Sequence, residues 1–305
     1  MSALPLLLHY PGVGPEPVRP SIRLVEGSGS AKPTLVRTAC VTSEYVESQR
    51  AVWMYMNHVG RPCFTLDLIG DMRRQQDAIA RRPEEVDFLV TASMTPGVFN
   101  LGGDLDLFRK LSVAGDFDGL LHYATQCVDG VYNYLVGLGT ETMTIALVEG
   151  DALGGGLELA LSNNLVIAQR GIKMGFPEML FNLFPGMGAY SILARKVGPR
   201  ISEDLITSGR VLTAEQMHEL GLVDYLAEPG EGEAIVRKVI ASRRTNLHGY
   251  WAYQRAKQHG PLKISHTELL EITREWVEAA CSIGSRDIKV MERLVRAQDK
   301  RSETG

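Results

Sequence analysis

Residues 142–162 read TMTIALVEGDALGGGLELALS, and this stretch decides the fold class. Its first part, Thr142–Glu149, is an apolar run of the length of a buried strand. Three consecutive glycines follow at positions 154–156, and the apolar residues after them predict a helix. A strand that passes through a glycine turn into a helix is typical of α/β folds.

Strands and helices alternate on both sides of this stretch. The predicted extended segments are Val86–Ser93, Leu165–Gln169 and Ile172–Phe176, and the predicted helices are Thr65–Arg82, Phe117–Leu138, Gly188–Val197 and Ser202–Ser208. We expect the helix Phe117–Leu138 to be broken near Gly130. The segment Ser43–Val59 stays ambiguous, because a short apolar run fits a helix as well as a strand. The alternation predicts an α/β architecture.

The two ends of the chain differ from the middle. Residues 1–20 contain five prolines and predict an irregular N-terminal arm. Two β-like runs, Ser21–Glu26 and Thr34–Cys40, follow it on either side of a flexible GSGSAKP segment. From Glu231 onward the pattern is nearly all helical. We therefore predict an arm at 1–20, a core domain at 21–230 and a C-terminal helical region at 231–305.

Composition excludes several classes of function. The 305 residues are 45% hydrophobic and 22% charged, which is ordinary for a globular protein. The formal net charge of -4 argues against general nucleic-acid binding, because nothing would offset the phosphate charge. No apolar stretch has the length of a membrane span, and the N-terminal apolar run is short and contains Pro5. The four cysteines form no CxxC pair, so we expect reduced thiols and a cytoplasmic protein.

Two glycine-rich loops are candidates for binding an oxyanion. Gly154–Gly156 lies where a helix begins, so its backbone N–H groups are unpaired and the glycines let a ligand come close. The second loop, Phe99–Asp104 (FNLGGD), also follows a strand. Two amides from separate loops are what a developing oxyanion needs. Either loop alone also fits an ordinary tight turn, and Asp104 fits a helix N-cap.

Two glutamates lie in apolar surroundings beside these loops. Glu158 is flanked by leucines and alanine, and Glu178 lies in GFPEMLF. An apolar pocket raises the pKa of a carboxyl group, which suits it to acid or base catalysis near neutral pH. A lone glutamate of this kind is more often a surface or hydrogen-bonded structural residue, but two together favour catalysis.

Other chemistries have weaker support. The seven histidines show no HExxH or paired-ligand spacing, so no metal site is predicted. The turn Phe184–Ala189 (FPGMGA) launches a helix but lacks the Lys-Ser/Thr end of a P-loop, which argues against nucleotide binding. We expect no cofactor.

Taken in order along the chain, these motifs resemble the crotonase (enoyl-CoA hydratase/isomerase) superfamily. FNLGGD at 99–104 matches the first oxyanion loop, ALGGGLE at 152–158 the second, and Pro177-Glu178 with PGMG at 185–188 the later segment. The resemblance implies that the amides of Leu101 and Gly155 form the oxyanion hole and that Glu158 and Glu178 are the catalytic carboxyls. It also implies a spiral β core with helices, followed by a helical C-terminal region.

Within that superfamily the chain is most similar to diffusible-signal-factor synthases of the RpfF type. The similarity lies in VFNLGGDLDLF, ALVEGDALGGGLELALS, GFPEMLFNLFPGMGAYS and MERLVRAQDKRS. It implies an enzyme that dehydrates a 3-hydroxyacyl group on acyl carrier protein to the cis-2-enoyl thioester and then hydrolyses the thioester to a free cis-2-unsaturated fatty acid. The implied partners are acyl carrier protein, a sensor histidine kinase that restrains activity in related synthases, and further copies of the chain in a trimer or hexamer.

The same resemblance indicates how the acyl chain is bound. Leu153, Met187 and Trp276 are candidates for an apolar tunnel, with Gly102 and Gly154 beside the thioester. On its helical stripe alone, Trp276 fits core packing equally well. Basic residues near the C-terminus, Arg293, Arg296, Lys300 and Arg301, fit either a docking surface for an acidic carrier protein or a solvated helix face.

Two other functions remain open at this point. The first is a plain enoyl-CoA hydratase, with coenzyme A in place of the carrier protein. The second is a non-catalytic protein that binds acyl thioesters or a sensor. The retained pair of glutamates argues against the second, because two buried acids are costly to desolvate and give a simple binding protein nothing in return.

Overall fold

The computed structural model describes residues 35–303, with side chains described from residue 37 to residue 296. The predicted arm at 1–20 and the β-like run Ser21–Glu26 lie outside the described residues. Within the described part, no helix combines the length and apolar character needed to cross a membrane. The strands are β1 (Leu35–Arg37), β2 (Val41–Val46), β3 (Ala51–Met56), β4 (Phe88–Ser93), β5 (Val98–Asn100), β6 (Met143–Val148), β7 (Asp151–Leu153), β8 (Leu165–Gln169), β9 (Lys173–Gly175), β10 (Val211–Thr213) and β11 (Tyr225–Ala227).

Eleven α-helices accompany these strands in the described part of the chain. They are α1 (Leu66–Ala80), α2 (Leu105–Ala114), α3 (Phe117–Leu135), α4 (Gly155–Ser162), α5 (Ala189–Lys196), α6 (Pro199–Ser208), α7 (Ala214–Glu219), α8 (Gly232–Arg243), α9 (Leu247–Lys257), α10 (His266–Cys281) and α11 (Ser285–Glu303). Short 3₁₀ helices cover Glu47–Gln49, Gly137–Gly139 and Pro177–Phe181.

The strands form two sheets. The larger has the order β1-β2-β3-β4-β6-β8-β11; its first two pairings are antiparallel and the rest are parallel. The smaller has the order β10-β9-β7-β5, with β5, β7 and β9 parallel. All six residues of β6 are buried, as expected for a central parallel strand covered on both faces. The predicted α/β class is confirmed.

Most predicted elements are present, one open assignment is resolved, and one prediction is wrong. The ambiguous segment Ser43–Val59 holds most of the antiparallel pair β2 and β3 rather than a helix. Helix α3 runs unbroken through Gly130, contrary to the predicted break. Its buried face packs against α1 and α10, and this packing outweighs the roughly 1 kcal/mol that a glycine costs inside a helix.

The C-terminal helices share a core with the middle of the chain. Side chains of α10 and α11 form one apolar cluster with α2, α3 and the segment around Phe181. Its buried members are Phe108, Leu120, Ala124, Phe181, Leu183, Val277, Ala280 and Met291. The predicted helical pattern after Glu231 is confirmed by α8–α11, and α10 and α11 contribute residues to a cavity beside the glycine-rich loops.

Candidate active site

Parallel strands bring the predicted site together. Strands β5, β7 and β9 are neighbours in the smaller sheet and run in the same direction. The segments that follow them are 101–104, the glycine loop at 154, and the 3₁₀ helix Pro177–Phe181. Because the carboxyl ends of parallel strands lie at the same edge of a sheet, three segments distant in the chain meet there.

Glycines allow the two glycine-rich loops to touch. Gly102 has φ +94°, and a Cβ there would lie 3.1 Å from both the Gly155 nitrogen and the Leu153 carbonyl oxygen. A Cβ on Gly156 would collide with the Asn100 carbonyl. Backbone therefore packs directly on backbone between the loops, which explains why these positions need glycine.

Glu158 is held as a buried, hydrogen-bonded carboxyl group. It lies in the first turn of α4 and is 1% exposed. Its Oε1 accepts hydrogen bonds from the Met187 and Ala189 N–H groups, at 2.7 and 2.9 Å. Burial raises the pKa of Glu158 to about 7, and the backbone donors oppose that rise. The group can therefore exchange a proton near neutral pH.

Glu178 lies at the start of the 3₁₀ helix Pro177–Phe181, and its environment differs from that of Glu158. Its Oε1 lies against Gly154, where a Cβ would collide with it. Its Oε2 is buried and has no hydrogen-bond partner among the described residues. Burial, followed by the charge of Glu158, raises the pKa of Glu178 to about 8. Burial therefore favours the protonated form of Glu178, and no hydrogen bond to its Oε2 from a described residue opposes this.

The backbone N–H groups of Gly155 and Leu101 differ in their hydrogen bonding. Gly155 is the first residue of α4, so its N–H has no partner within the helix and points out from the helix N-terminus. The Leu101 N–H already donates to the Pro62 carbonyl at 2.8 Å. To act as the second oxyanion donor, Leu101 has to share that hydrogen or exchange its partner. The oxyanion roles of Leu101 and Gly155 therefore stay predictions.

A cavity of about 280 Å³ opens between the glutamates and the C-terminal helices. All nine predicted site residues line it: Leu101, Gly102, Leu153, Gly154, Gly155, Glu158, Glu178, Met187 and Trp276. Among the described residues that line the cavity there is no lysine, arginine or histidine. The cavity therefore suits an apolar, uncharged chain, with the two carboxyl groups as its principal polar feature.

Trp276 closes part of the cavity rather than serving only as core packing. Its ring stacks on Gly186, where a Cβ would lie 2.5 Å from Cγ, and tilts against Phe108 with a centroid distance of 5.2 Å. Its Nε1 has no hydrogen-bond partner among the described residues. The glycine at 186 is therefore required for the position of this ring.

Several lining residues were not anticipated from the sequence. Phe108 and Phe181 come from the shared cluster, and Leu294 comes from α11. Tyr123 donates to the Phe64 carbonyl at 2.7 Å and accepts from the Asp104 N–H at 2.8 Å, which ties α3 to the first loop. Cys127 also lines the cavity, and burial raises the pKa of its thiol to about 12, so the thiol is uncharged at neutral pH. No local pattern marks these residues.

The chain is similar in sequence to known proteins of one family. Residues 73–258 match the family model for enoyl-CoA hydratase/isomerase. Mitochondrial methylglutaconyl-CoA hydratase of Mus musculus is 31% identical over 250 residues, covering 79% of this chain and 74% of that protein.

Solved structures show the same fold. An enoyl-CoA hydratase/isomerase from Xanthobacter autotrophicus Py2 superposes with a TM-score of 0.71 at 19% identity, covering 88% of this chain and 97% of that one. The structure of Pseudomonas aeruginosa DspI gives a TM-score of 0.56 at 21% identity, covering 84% of this chain and 98% of that one. At such identities the likeness concerns the fold.

Proposed function

This chain belongs to the enoyl-CoA hydratase/isomerase family, the crotonase superfamily, and we propose that it adds water to, or removes it from, the C2–C3 bond of an acyl thioester. One observation carries the proposal: two carboxyl groups with raised pKa values and different surroundings line one apolar cavity beside a helix N-terminus. Carboxyl groups that differ in this way divide acid and base roles between them.

Two backbone donors favour the carboxylate form of Glu158, and the absence of a described donor at the Glu178 Oε2 favours its protonated form. These surroundings support the following division of the proton transfers. In hydration, the Glu158 carboxylate takes a proton from water while the water oxygen bonds to C3. Protonated Glu178 then delivers its proton to C2. Dehydration is the reverse: Glu178 takes the C2 proton, and protonated Glu158 gives one to the departing 3-hydroxyl group. The helix N-terminus at Gly155 stabilises the enolate oxygen that forms between the two transfers.

The cavity favours a fatty acyl chain over a dicarboxylic one. A methylglutaconyl group, named in the mouse relative, carries a second, free carboxylate. Here that carboxylate would lie among apolar side chains and two acidic groups, with no cation among the described lining residues. Burying an unpaired charge costs on the order of several kcal/mol. We therefore propose an uncharged acyl chain as the substrate.

A narrower proposal is that the enzyme also releases the free acid, as a diffusible-signal-factor synthase working on acyl carrier protein. The sequence likeness supports it, and so does the position of Glu178, whose Oε2 is unpaired within the described residues and lies beside the glycine loop. Water would attack the thioester carbonyl carbon while the Glu178 carboxylate takes its proton. The C–S bond then breaks, and the thiol leaves with that proton.

The test uses one medium-length acyl chain attached either to coenzyme A or to acyl carrier protein. The 2-enoyl and 3-hydroxyacyl thioesters of coenzyme A and of acyl carrier protein are supplied, and thioester and free acid are measured by mass spectrometry. Interconversion without free acid supports the hydratase, and free cis-2-enoic acid from the carrier-protein thioester supports the synthase. Absence of both overturns the proposed function and leaves the non-catalytic binding protein.

A matched control separates chemistry from burial. Glu149 is another partly buried glutamate whose pKa burial raises, but it does not line the cavity. We expect Glu149→Gln to retain activity, whereas Glu158→Gln and Glu178→Gln each lose on the order of 10²–10⁴-fold in kcat.

A further inference from the structure

A hydrogen-bonded chain of side chains supports the first glycine loop from behind. His58 follows β3, Thr95 follows β4, and Asn100 ends β5. The His58 Nδ1 lies 2.8 Å from the Thr95 Oγ1, and its Nε2 lies 3.2 Å from the Asn100 Nδ2. The Asn100 Oδ1 accepts the Gly102 N–H at 2.8 Å. The chain therefore runs from Thr95 to the loop backbone.

Counting donors fixes the state of the imidazole. The Gly102 N–H can only donate, so the Asn100 atom that it meets is the oxygen and the atom that faces His58 is the NH₂ group. That NH₂ group donates, so the His58 Nε2 must accept and carry no proton. The proton of a neutral imidazole is then on Nδ1, which donates to the Thr95 hydroxyl oxygen.

The surroundings agree with a neutral ring. Asn100 is fully buried, and His58 is partly buried. Burial lowers the pKa of His58 to about 4, so the ring is uncharged over the whole neutral range.

The chain ends at the contact between the two loops. The Asn100 carbonyl lies against Gly156, and Gly102 lies against the Gly155 nitrogen. Turning the Asn100 side chain over would point its NH₂ group at the Gly102 N–H and release that amide. An acceptor at the His58 Nε2 prevents this turn, because only one orientation of the amide satisfies both neighbours.

We propose that His58 is a positioning residue: as a neutral Nδ1–H imidazole it fixes the Asn100 amide, and through it holds Gly102 and the first loop against the Gly155 end of the oxyanion site. The proposal rests on the proposed function in one respect, that the loop contact serves turnover of an acyl thioester. The hydrogen-bonded chain itself is independent of any substrate.

The first test reads the tautomer without an assay. Imidazole ¹⁵N shifts are recorded for the protein between pH 6 and 8, and the His58 signals are assigned by their loss in His58→Gln. We expect a neutral ring with protonated Nδ1 and unprotonated Nε2. A protonated Nε2, or a charged ring, overturns the proposal whether or not the enzyme turns over any substrate.

The second test measures hydration of a 2-enoyl thioester by His58→Gln, His58→Leu and the surface control His122→Leu. Glutamine keeps an acceptor for the Asn100 NH₂ group and leucine removes it. We expect His58→Leu to lose about tenfold in kcat with KM within about threefold, and His58→Gln and His122→Leu to stay within about threefold of the wild-type kcat.

The outcomes separate the two proposals. Two results overturn the positioning role: equal losses of kcat in His58→Gln and His58→Leu, or a rise in KM with kcat unchanged. A wild-type protein that turns over no thioester overturns the proposed function, while the tautomer measurement still decides the state of His58. Because that measurement is made on the native chain, it remains decisive if His58→Leu fails to fold.

Discussion

Replacing Gly102 by alanine tests whether contact between the two glycine loops is required for activity. Gly102 has φ +94°, and an added Cβ would lie 3.1 Å from the Gly155 nitrogen and the Leu153 carbonyl oxygen. Contacts this short oblige the loops to separate by a few tenths of an ångström. The left-handed backbone alone costs an alanine about 1–2 kcal/mol.

Gly230 offers a matched control. Its φ is +82°, nothing lies within 4 Å of its would-be Cβ, and it lies outside the cavity lining. Gly230→Ala therefore carries the same conformational cost without the collision. We expect both variants to unfold at a temperature lower by roughly 2–8 °C, which is the range for about 1–2 kcal/mol in a chain of this size class.

Activity should distinguish the two variants. The kcat of Gly102→Ala for hydration of a 2-enoyl thioester should fall about tenfold or more, because a small displacement of the reacting groups raises the activation free energy. Gly230→Ala should keep the wild-type kcat. If Gly102→Ala is as active as Gly230→Ala, the loop contact does not serve catalysis, and the reasoning from the glycine positions is wrong.

Three further substitutions, Glu178→Gln, Gly186→Ala and Ala189→Pro, each give a separate prediction. Because burial raises the pKa of Glu178 from 4.5 to about 8, its contribution to the free energy of unfolding is full below pH 4.5 and is lost as the pH rises to about 8. Urea unfolding at pH 5 and at pH 8 measures this loss. We expect Glu178→Gln to lose less stability between the two pH values than the wild type. Gly186→Ala pushes a methyl group into the Trp276 ring, and KM for a medium-chain thioester should rise more than kcat falls. Ala189→Pro removes one N–H donor to Glu158 at a first helical position that tolerates proline, so the limb of the pH–rate profile set by Glu158 should move to higher pH; an unmoved limb contradicts the assigned donor.

The sequence predicted the fold to the extent that local patterns determine it. Apolar runs and glycine turns correctly placed strands such as β4, β6 and β8, and the Asp104 N-cap is confirmed by its hydrogen bonds to the Asp106 and Leu107 N–H groups. The break expected at Gly130 was wrong, because the packing of α3 against α1 and α10 is a tertiary effect. Local propensity carries no information about that packing.

The residues of the candidate active site also differ in whether local sequence patterns identify them. Glu158, Glu178 and the glycine loops belong to continuous sequence motifs, so the sequence alone identifies them, and all of them line one cavity. Tyr123 and His58 act through hydrogen bonds to residues about 20 to 60 positions away in the chain, and no spacing rule marks them. Asn100 is an intermediate case. A short polar residue two positions before Gly102 is typical of a side chain that accepts the amide of its own turn.

The central claim is that Glu158 and Glu178 together carry out water addition and removal on an acyl thioester. The most direct measurement is the rate of 2-enoyl thioester hydration in D₂O by the wild type, Glu158→Gln, Glu178→Gln and the Glu149→Gln control, with deuterium at C2 of the product located by mass spectrometry. The account predicts one deuterium at C2 from the wild type and the control, and a loss of at least about 10²-fold with either site variant. Wild-type rates in both site variants, or no hydration by the native protein, would contradict it.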